Sequence, residues 1–551
     1  MSPARRRLAV WLLALALLWL VAYPLLLVAV ESVRQRDGSF TLAWFQRFVA
    51  EPREWQALWN SLWTSVASVV LAAALGVPLA FLFERCDFPG RRLLGALVAL
   101  PVVLPPLVGV IAFLFLYGET GFIGRLVQVT LGLADPPWRL EGAWAILLVH
   151  AYSLYVYFYL FTRAGLATMD HAAVEAAHSL GAGRWRTLRR VTFPLLYPSL
   201  RGAALLAFMT ALASFSAPYI FGGGFRVMTT QIVFTRLNGE YGMAMAQTVV
   251  LSLLGLAGLW LAGGAGTDVA AAGKGVAPVA VPIRHPAVRL LVTGLGWGLA
   301  VFLLLPHVTL VLLSFVPVGT WTTQALPPAY TLANYTALAT DPERLRPLGN
   351  SLWMATLATG VALGVAVLAG ALTTRRSGPG AALLERLLSV PWLVPGTVFA
   401  VALATAFSVH APWAGRVVLV GTLWILPMAY VIRNLPIASR AVLAGFRGLD
   451  PALDEAAASL GAGTGRRLRT VILPLLRPAL AAGATLAFVT ALGDFVTSII
   501  LYTYDTRPLS LEILASLRQG DVGVAAAYGV FLMLLSGLVF ALGGERKVVT
   551  R

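Results

Sequence analysis

Apolar runs of about twenty residues recur from one end of the chain to the other, and no other feature constrains its fold as much. As a helix, each is long enough to cross roughly 30 Å of hydrocarbon. The runs predict spans at roughly 8–30, 61–83, 93–117, 142–163, 202–222 and 243–264, and again at 288–315, 351–373, 384–408, 414–436, 480–502 and 523–543. The chain is 59% apolar and only 12% charged, about half the charge of a soluble domain. The expectation is an all-α polytopic membrane protein of about 12 transmembrane helices. The N-terminal apolar run exceeds about 20 residues and lacks a clear small-x-small cleavage site, so it reads as a retained first span rather than a signal peptide.

The net charge of +17 would point to nucleic acid in a soluble chain. Here it marks loops on one side of a membrane, and no nucleic-acid partner is expected. With the N-terminus inside, 28 of the 41 Lys and Arg fall on cytoplasmic segments and 13 on external ones. That is the positive-inside bias, and it places both termini in the cytoplasm. The external loop with Arg34, Arg36, Arg47 and Arg53 is a mild exception, balanced by Glu31, Asp37, Glu51 and Glu54. The single cysteine, Cys86, excludes an internal disulfide and any cysteine cage for a metal.

The two halves are repeats. Asn60-Ser61-Leu62-Trp63 opens the second span and Asn350-Ser351-Leu352-Trp353 the eighth; Leu-Pro-Pro at 104–106 answers Leu-Val-Pro at 393–395. The division is a first repeat over 1–264, a cytoplasmic linker rich in Gly, Ala, Pro and Val over 265–287, and a second repeat over 288–551. Six spans each make the repeats parallel, related by an axis along the membrane normal. The first half is about ten residues longer, and the extra length falls in the external loop around 118–141.

One polar stretch is written twice. EAAHSLGAGRWRTLRRVTFPLLYPSLR at 175–201 matches the stretch at 455–481 in 17 of 27 positions, while the spans around them match poorly. Asp170 and Asp450 can cap the helix that each stretch continues, and Pro451 suits a first helical position. Gly181 and Gly461 can take the left-handed conformation that ends it. A basic helix then runs to Pro194 or Pro474 along the cytoplasmic surface, with Arg186, Arg189 and Arg190 available to lipid headgroups or to a protein. A binding site for something that itself comes in two copies explains the duplication.

The residues Glu175, Ala176, Ala177, Gly181, Val191, Phe193 and Pro194, and Glu455, Ala456, Ala457, Gly461, Val471, Leu473 and Pro474, have the spacing of the cytoplasmic loop of permease subunits in bacterial ABC importers. The chain resembles that family over nearly its whole length. The resemblance implies a type I importer permease in a bacterial cytoplasmic membrane. It implies coupling loops near 164–200 and 440–478 that meet two copies of a separate ATPase. One periplasmic or lipid-anchored substrate-binding protein is the external partner. Glu175, Ala176, Ala177, Gly181 and Pro194, with Glu455, Ala456, Ala457, Gly461 and Pro474, are the implied ATPase-coupling residues. The single-chain double form, with Leu-Pro-x-x-Val-Gly-Val in span three and Gly-Asp-Phe at 493–495, is similar to ferric-iron permeases first and thiamine permeases second. Polyamine and oxyanion permeases are further relatives of this branch.

No Gly-x-x-x-x-Gly-Lys-Ser/Thr loop and no His-Glu-x-x-His occur, and the six histidines show no metal-binding pair on one helix. The expectation is therefore a transport subunit rather than an enzyme, with no catalytic residue, metal or cofactor of its own, and with ATP consumed by partner subunits. Polar residues within spans are functional suspects because lipid burial is costly. Asp494, matched by Ser214 in the first half, and the nearby Ser216 are the candidate pathway residues; pairing of Asp494 with a neighbouring helix is the competing reading. An ion-gradient carrier with twelve spans in two halves is the other functional class, but it leaves the paired loops unexplained.

Overall fold

A computed structural model describes residues 3–35, 37–99, 101, 104–261, 281–321, 324–374, 378–409 and 414–544. The first half comprises α1 (Ala4–Glu31), α2 (Pro52–Arg85), α3 (Pro106–Tyr117), α4 (Gly142–Thr168), α5 (His171–Ser179), α6 (Arg184–Leu212), α7 (Met228–Leu237) and α8 (Tyr241–Leu261). The second half repeats the series as α9 (Pro286–Leu313), α10 (Pro342–Thr373), α11 (Gly396–Ala406), α12 (Ile425–Arg447), α13 (Pro451–Ser459), α14 (Arg477–Leu492), α15 (Leu509–Arg518) and α16 (Val522–Gly544). Each helix of the first half has its counterpart eight places on. Among the described residues nine helices are long and apolar enough to cross a membrane, and two sharply bent pairs raise the number to eleven. The helix α12 is 23 residues long but carries Arg433, Arg440 and Arg447; with it the crossings reach about twelve.

Several expected spans are broken or displaced, each for a local reason. The span expected at 93–117 is a short helix, Arg91–Leu97, followed by a break and then α3. The one expected at 384–408 bends by 107° between Pro379–Trp392 and α11. Pro105 and Pro395 stand at these breaks with ψ of 140° and 147°. Proline lacks the amide that a continuing helix needs and crowds the residue before it. The span expected at 414–436 starts at Ile425 instead, because Gly415, Arg416 and Gly421 all take positive φ. The spans expected at 202–222 and 480–502 end at Leu212 and Leu492, and the short helices Ser216–Phe221 and Ser498–Leu501 follow the breaks. The extra length of the first half around 118–141 holds the helix Phe122–Leu131.

Within each half the core is a helix pair, α2 along α4 and α10 along α12, with α6 or α14 laid across both members. Small residues permit the approach, as expected where packing rather than water drives association. At Gly76 of α2 a β-carbon would lie 2.7 Å from Phe158 Cβ and would overlap the Tyr155 carbonyl. Gly76→Val forces α2 off α4, and we expect a loss of about 3 kcal/mol or more. Thermal unfolding of the purified chain in detergent reads this as a large drop in Tm. An unchanged Tm would mean that the helices are not this close.

The first helix of each half packs on its own bundle and also reaches across to the other. Helix α1 packs on α10, on α11 and on the helix Pro379–Ser389. The Trp19 and Phe407 rings meet edge-on at 5.5 Å. Arg6 donates through Nη2 to the Leu372 carbonyl at 2.7 Å, at the C-terminal end of α10, where a cation complements the helix dipole. Reciprocally, α9 packs on α3 and on the helix Arg91–Leu97, and Tyr152 Oη donates to the Leu303 carbonyl at 2.9 Å. The linker region at 265–280 lies outside the described residues. Just beyond it, Val281–Pro282 pairs in parallel with Cys86–Asp87 of the first half.

Candidate functional site

The duplicated polar stretches form two matched surface elements. Asp170 accepts a hydrogen bond from the Ala172 amide at 3.0 Å and Asp450 one from Ala452 at 2.9 Å, so both helices start as side-chain-capped turns. Both end the same way. Gly181 and Gly461 have φ of +79°, and the amide of the following alanine reaches back five residues, to Ala177 at 2.9 Å and to Ala457 at 3.0 Å. This is the left-handed helix stop that only glycine adopts without strain. It explains the glycine of the repeat.

Glu175, Ala176, Glu455 and Ala456 face outward, and Ala177 and Ala457 are half-buried. Beside them Leu180 and Leu460 are each 88% exposed. The two repeats thus hold a bulky apolar side chain in solvent at matched positions. The elements are anchored differently. Val174 of α5 is buried against Leu166, Met169 and Leu196, whereas the matching Asp454 of α13 pairs with Arg467 at 3.3 Å.

The basic helix of the first half runs past Pro194, whereas that of the second half ends at Leu475, within a residue of the expected Pro474. Each contains a π turn, Leu188–Thr192 or Leu468–Ile472, with one residue between it and the proline. The wider turn relieves the clash of a proline ring with the carbonyl one turn back. In the first half the helix continues to Leu212. In the second it bends by 71° between Leu475 and Arg477.

The Asn-Ser-Leu-Trp repeat acquires a physical reason. Asn60 Nδ2 donates to the Arg226 carbonyl at 2.9 Å, and Ser61 Oγ accepts from the Met228 amide at 2.7 Å. Asn350 donates to the Asp505 carbonyl at 2.8 Å, and Ser351 Oγ accepts from the Leu509 amide at 2.7 Å. In each half, α2 or α10 thus satisfies the loop entering α7 or α15 and caps that helix from a neighbouring helix.

The candidate pathway residues lie at the breaks after α6 and α14. Ser214 Oγ bonds His150 Nε2 at 2.9 Å, and His150 Nδ1 bonds Ser68 Oγ at 2.8 Å, a chain linking α2, α4 and the break. The Ser214 carbonyl, freed by the break, accepts from Thr229 Oγ1 at 2.7 Å. Ser216 is buried at the start of the following short helix. In the second half Asp494 Oδ1 accepts from the Thr497 amide at 2.9 Å, and Oδ2 lies 3.3 Å from Arg433 Nη1. The freed Asp494 carbonyl accepts from Ser498 Oγ at 2.7 Å and Ser510 Oγ at 2.8 Å. The two breaks meet between the halves: the Phe215 and Phe495 rings lie 5.7 Å apart and Tyr219 lies 6.0 Å from Phe495. Gly493 rests on Pro105, where a β-carbon would come within 2.8 Å.

Sequence reasoning missed His150, Arg433, Leu180 and Leu460. His150 is one of six histidines without a metal-binding spacing, and a lone histidine in an apolar stretch gives no sign of its partners. Arg433 sat inside an expected span and so carried the same signal as Asp494, a charge within an apolar stretch. The buried tyrosines of α4 pack between helices and hold their hydroxyls on main-chain carbonyls: Tyr155 donates to the Val98 carbonyl at 2.5 Å and Tyr159 to the Gly95 carbonyl at 3.0 Å.

Comparison with known proteins agrees with this geometry. The family described as "Binding-protein-dependent transport system inner membrane component" matches twice, at residues 72–265 and 362–544. A probable ABC transporter permease of Sinorhizobium fredii is 32% identical over 542 residues, covering 96% of this chain and 95% of its own. A ferric transport system permease of Actinobacillus pleuropneumoniae is 29% identical over 85% of this chain and 67% of its own. A molybdenum transport system permease of Escherichia coli is 35% identical over 169 residues, 30% of this chain and 72% of its own. With two matched units that together take in most of its length, the chain belongs to the inner-membrane permeases of binding-protein-dependent ABC importers, in their fused double form.

Proposed function

We propose that the chain imports ferric iron across a bacterial inner membrane, with α5 and α13 each docking one copy of a separate ATPase and both termini in the cytoplasm. The observation that carries the docking assignment is the duplicate surface itself, capped and stopped alike and presenting Glu175 and Leu180 or Glu455 and Leu460. On this reading the coupling residues are Glu175, Ala176, Ala177, Gly181 and Pro194 with Glu455, Ala456, Ala457, Gly461 and Pro474. The chain needs no cofactor, since ATP is bound and hydrolysed by the partners, and an external binding protein delivers the cargo. Closure of the ATPase dimer draws α5 and α13 together. The motion passes along α4 and α6, and along α12 and α14, to the helix breaks holding Ser214, Ser216 and Asp494, which part to open the pathway outward. Hydrolysis restores the inward-open arrangement.

Iron is favoured because relatives named as ferric permeases align over 80% and 85% of this chain. A second reading, an oxyanion, is supported by the molybdenum permease, which aligns over 30% of it. Thiamine and polyamines are further alternatives. The test is ATP hydrolysis by the reconstituted complex with its binding protein loaded in turn with ferric iron, molybdate or thiamine. We expect several-fold stimulation by the iron-loaded protein alone. Stimulation only by the molybdate-loaded protein would replace iron with an oxyanion and leave the importer assignment standing.

A further inference from the structure

A cavity of about 420 Å³ opens at the end of the first half that bears α5. It is lined by Phe83, Arg91, Gly95, Ala96, Ala99 and Arg163. Three elements form it: the last turn of α2, the short helix Arg91–Leu97, and α4 eight residues before α5 begins.

Its two guanidinium groups are fixed in place. Arg163 Nε donates to Glu84 Oε1 at 2.5 Å and Nη1 to Tyr159 Oη at 3.0 Å. The Arg163 head also lies over the Tyr159 ring at 5.2 Å. Arg91 Nε donates to the Phe83 carbonyl at 2.5 Å and Nη2 to the Glu84 carbonyl at 3.4 Å. Arg163 is paired with the Glu84 carboxylate, whereas Arg91 is held by main-chain carbonyls, which leaves a positive balance. Neither guanidinium has all its donors used by these bonds. The rest of the lining is apolar or small. Pre-positioned arginines suit a phosphate group, which they can bind with paired donors. A basic pocket between membrane helices with an apolar floor suits the phosphate of an anionic lipid in particular.

The second half lacks this pair of arginines at the matched positions. The positions matched to Arg91 and Arg163 are Ala381 and Leu443. Whatever the cavity binds is therefore not the twofold partner of α5 and α13.

We propose that this cavity is a binding site for a phosphate-bearing anion, and that its occupant braces the helix Arg91–Leu97 against the root of α5. The proposal takes its side of the membrane from the importer reading, but the binding itself does not depend on ATPase docking.

The complex with its ATPase, purified from detergent micelles doped with phosphatidylglycerol or with phosphatidylcholine, is analysed by native mass spectrometry for retained lipid. Wild type retains phosphatidylglycerol and not phosphatidylcholine, and Arg91→Gln lowers retention about fivefold. Ala99→Phe, which keeps both arginines and fills the floor, lowers it as well. Inorganic phosphate is the second arm, measured by equilibrium dialysis on delipidated complex. Phosphate binding that Arg91→Gln abolishes, without lipid retention, supports the site and assigns it to a soluble phosphate. Lipid and phosphate binding unchanged in both variants overturns the proposal. Loss of the ATPase with lipid retention intact would count against the importer reading alone.

Discussion

Glu175→Ala together with Glu455→Ala removes stable association with the ATPase and stops transport, while the chain itself folds and inserts normally. Both side chains face outward on short helices whose start and stop are fixed by backbone and cap hydrogen bonds elsewhere, at Asp170 and Gly181 and at Asp450 and Gly461. Truncation therefore leaves the helices intact, and alanine is if anything the better helix former. At the partner surface each carboxylate is worth a charge-assisted hydrogen bond, on the order of 1.5–3 kcal/mol. Two such losses weaken the complex by roughly 100-fold or more, enough to lose the ATPase during purification. Single variants should retain part of the association, because the ATPase dimer still holds one intact contact. Leu180→Ser with Leu460→Ser should weaken it as well, by removing two apolar anchors from the same surfaces. Co-purification at wild-type stoichiometry by the double glutamate variant, with normal uptake, would refute the docking assignment.

The sequence was most legible where a polar or conformational requirement interrupts lipid-compatible composition. Caps at Asp170 and Asp450, stops at Gly181 and Gly461, the two repeats and the paired loops could all be read, because each demands a particular residue type at a particular spacing. The expected spans went astray where hydropathy is blind. The apolar sequence flanking Pro105, and the stretch around Ser214, do not reveal by hydropathy that the helix has broken. The break is instead recorded in prolines at 105 and 395, and in hydroxyls far away in sequence, Thr229 and Ser510, that take up the freed carbonyls. The displacement of α12 has a related origin. Its N-terminal stretch is apolar enough to count as span, but Gly415 and Gly421 hold it in turns, while the true helix extends into the arginine-bearing sequence up to Arg447. The reach of α1 and α9 across to the opposite half was not legible at all, since packing partners leave no trace in one sequence's hydropathy.

The pairing of Arg433 with Asp494 makes a second strong prediction, because it sits where broken helices of one half meet. Asp494 is almost wholly buried and Arg433 about a quarter exposed. Arg433 also lies on Gly396 at the start of α11, filling the space that a β-carbon there would need. One guanidinium thus ties the break after α14 to the break before α11. Arg433→Met leaves a buried carboxylate with only the Thr497 amide and hydroxyl as partners. Removing one member of such a pair costs about 3 kcal/mol or more, because the remaining charge is uncompensated. Asp494→Asn in the Arg433→Met background removes that charge and should recover much of the stability, since the asparagine oxygen can still cap Thr497. Thermal unfolding in detergent measures the stability side of this cycle, and uptake by the reconstituted complex measures the other. If the pair only braces the fold, the double variant regains both Tm and transport. If Asp494 also meets the cargo, the double variant regains Tm but not transport. A single Arg433→Met variant with wild-type Tm would show that the carboxylate is not held by this arginine, and the link between the two breaks would fail with it.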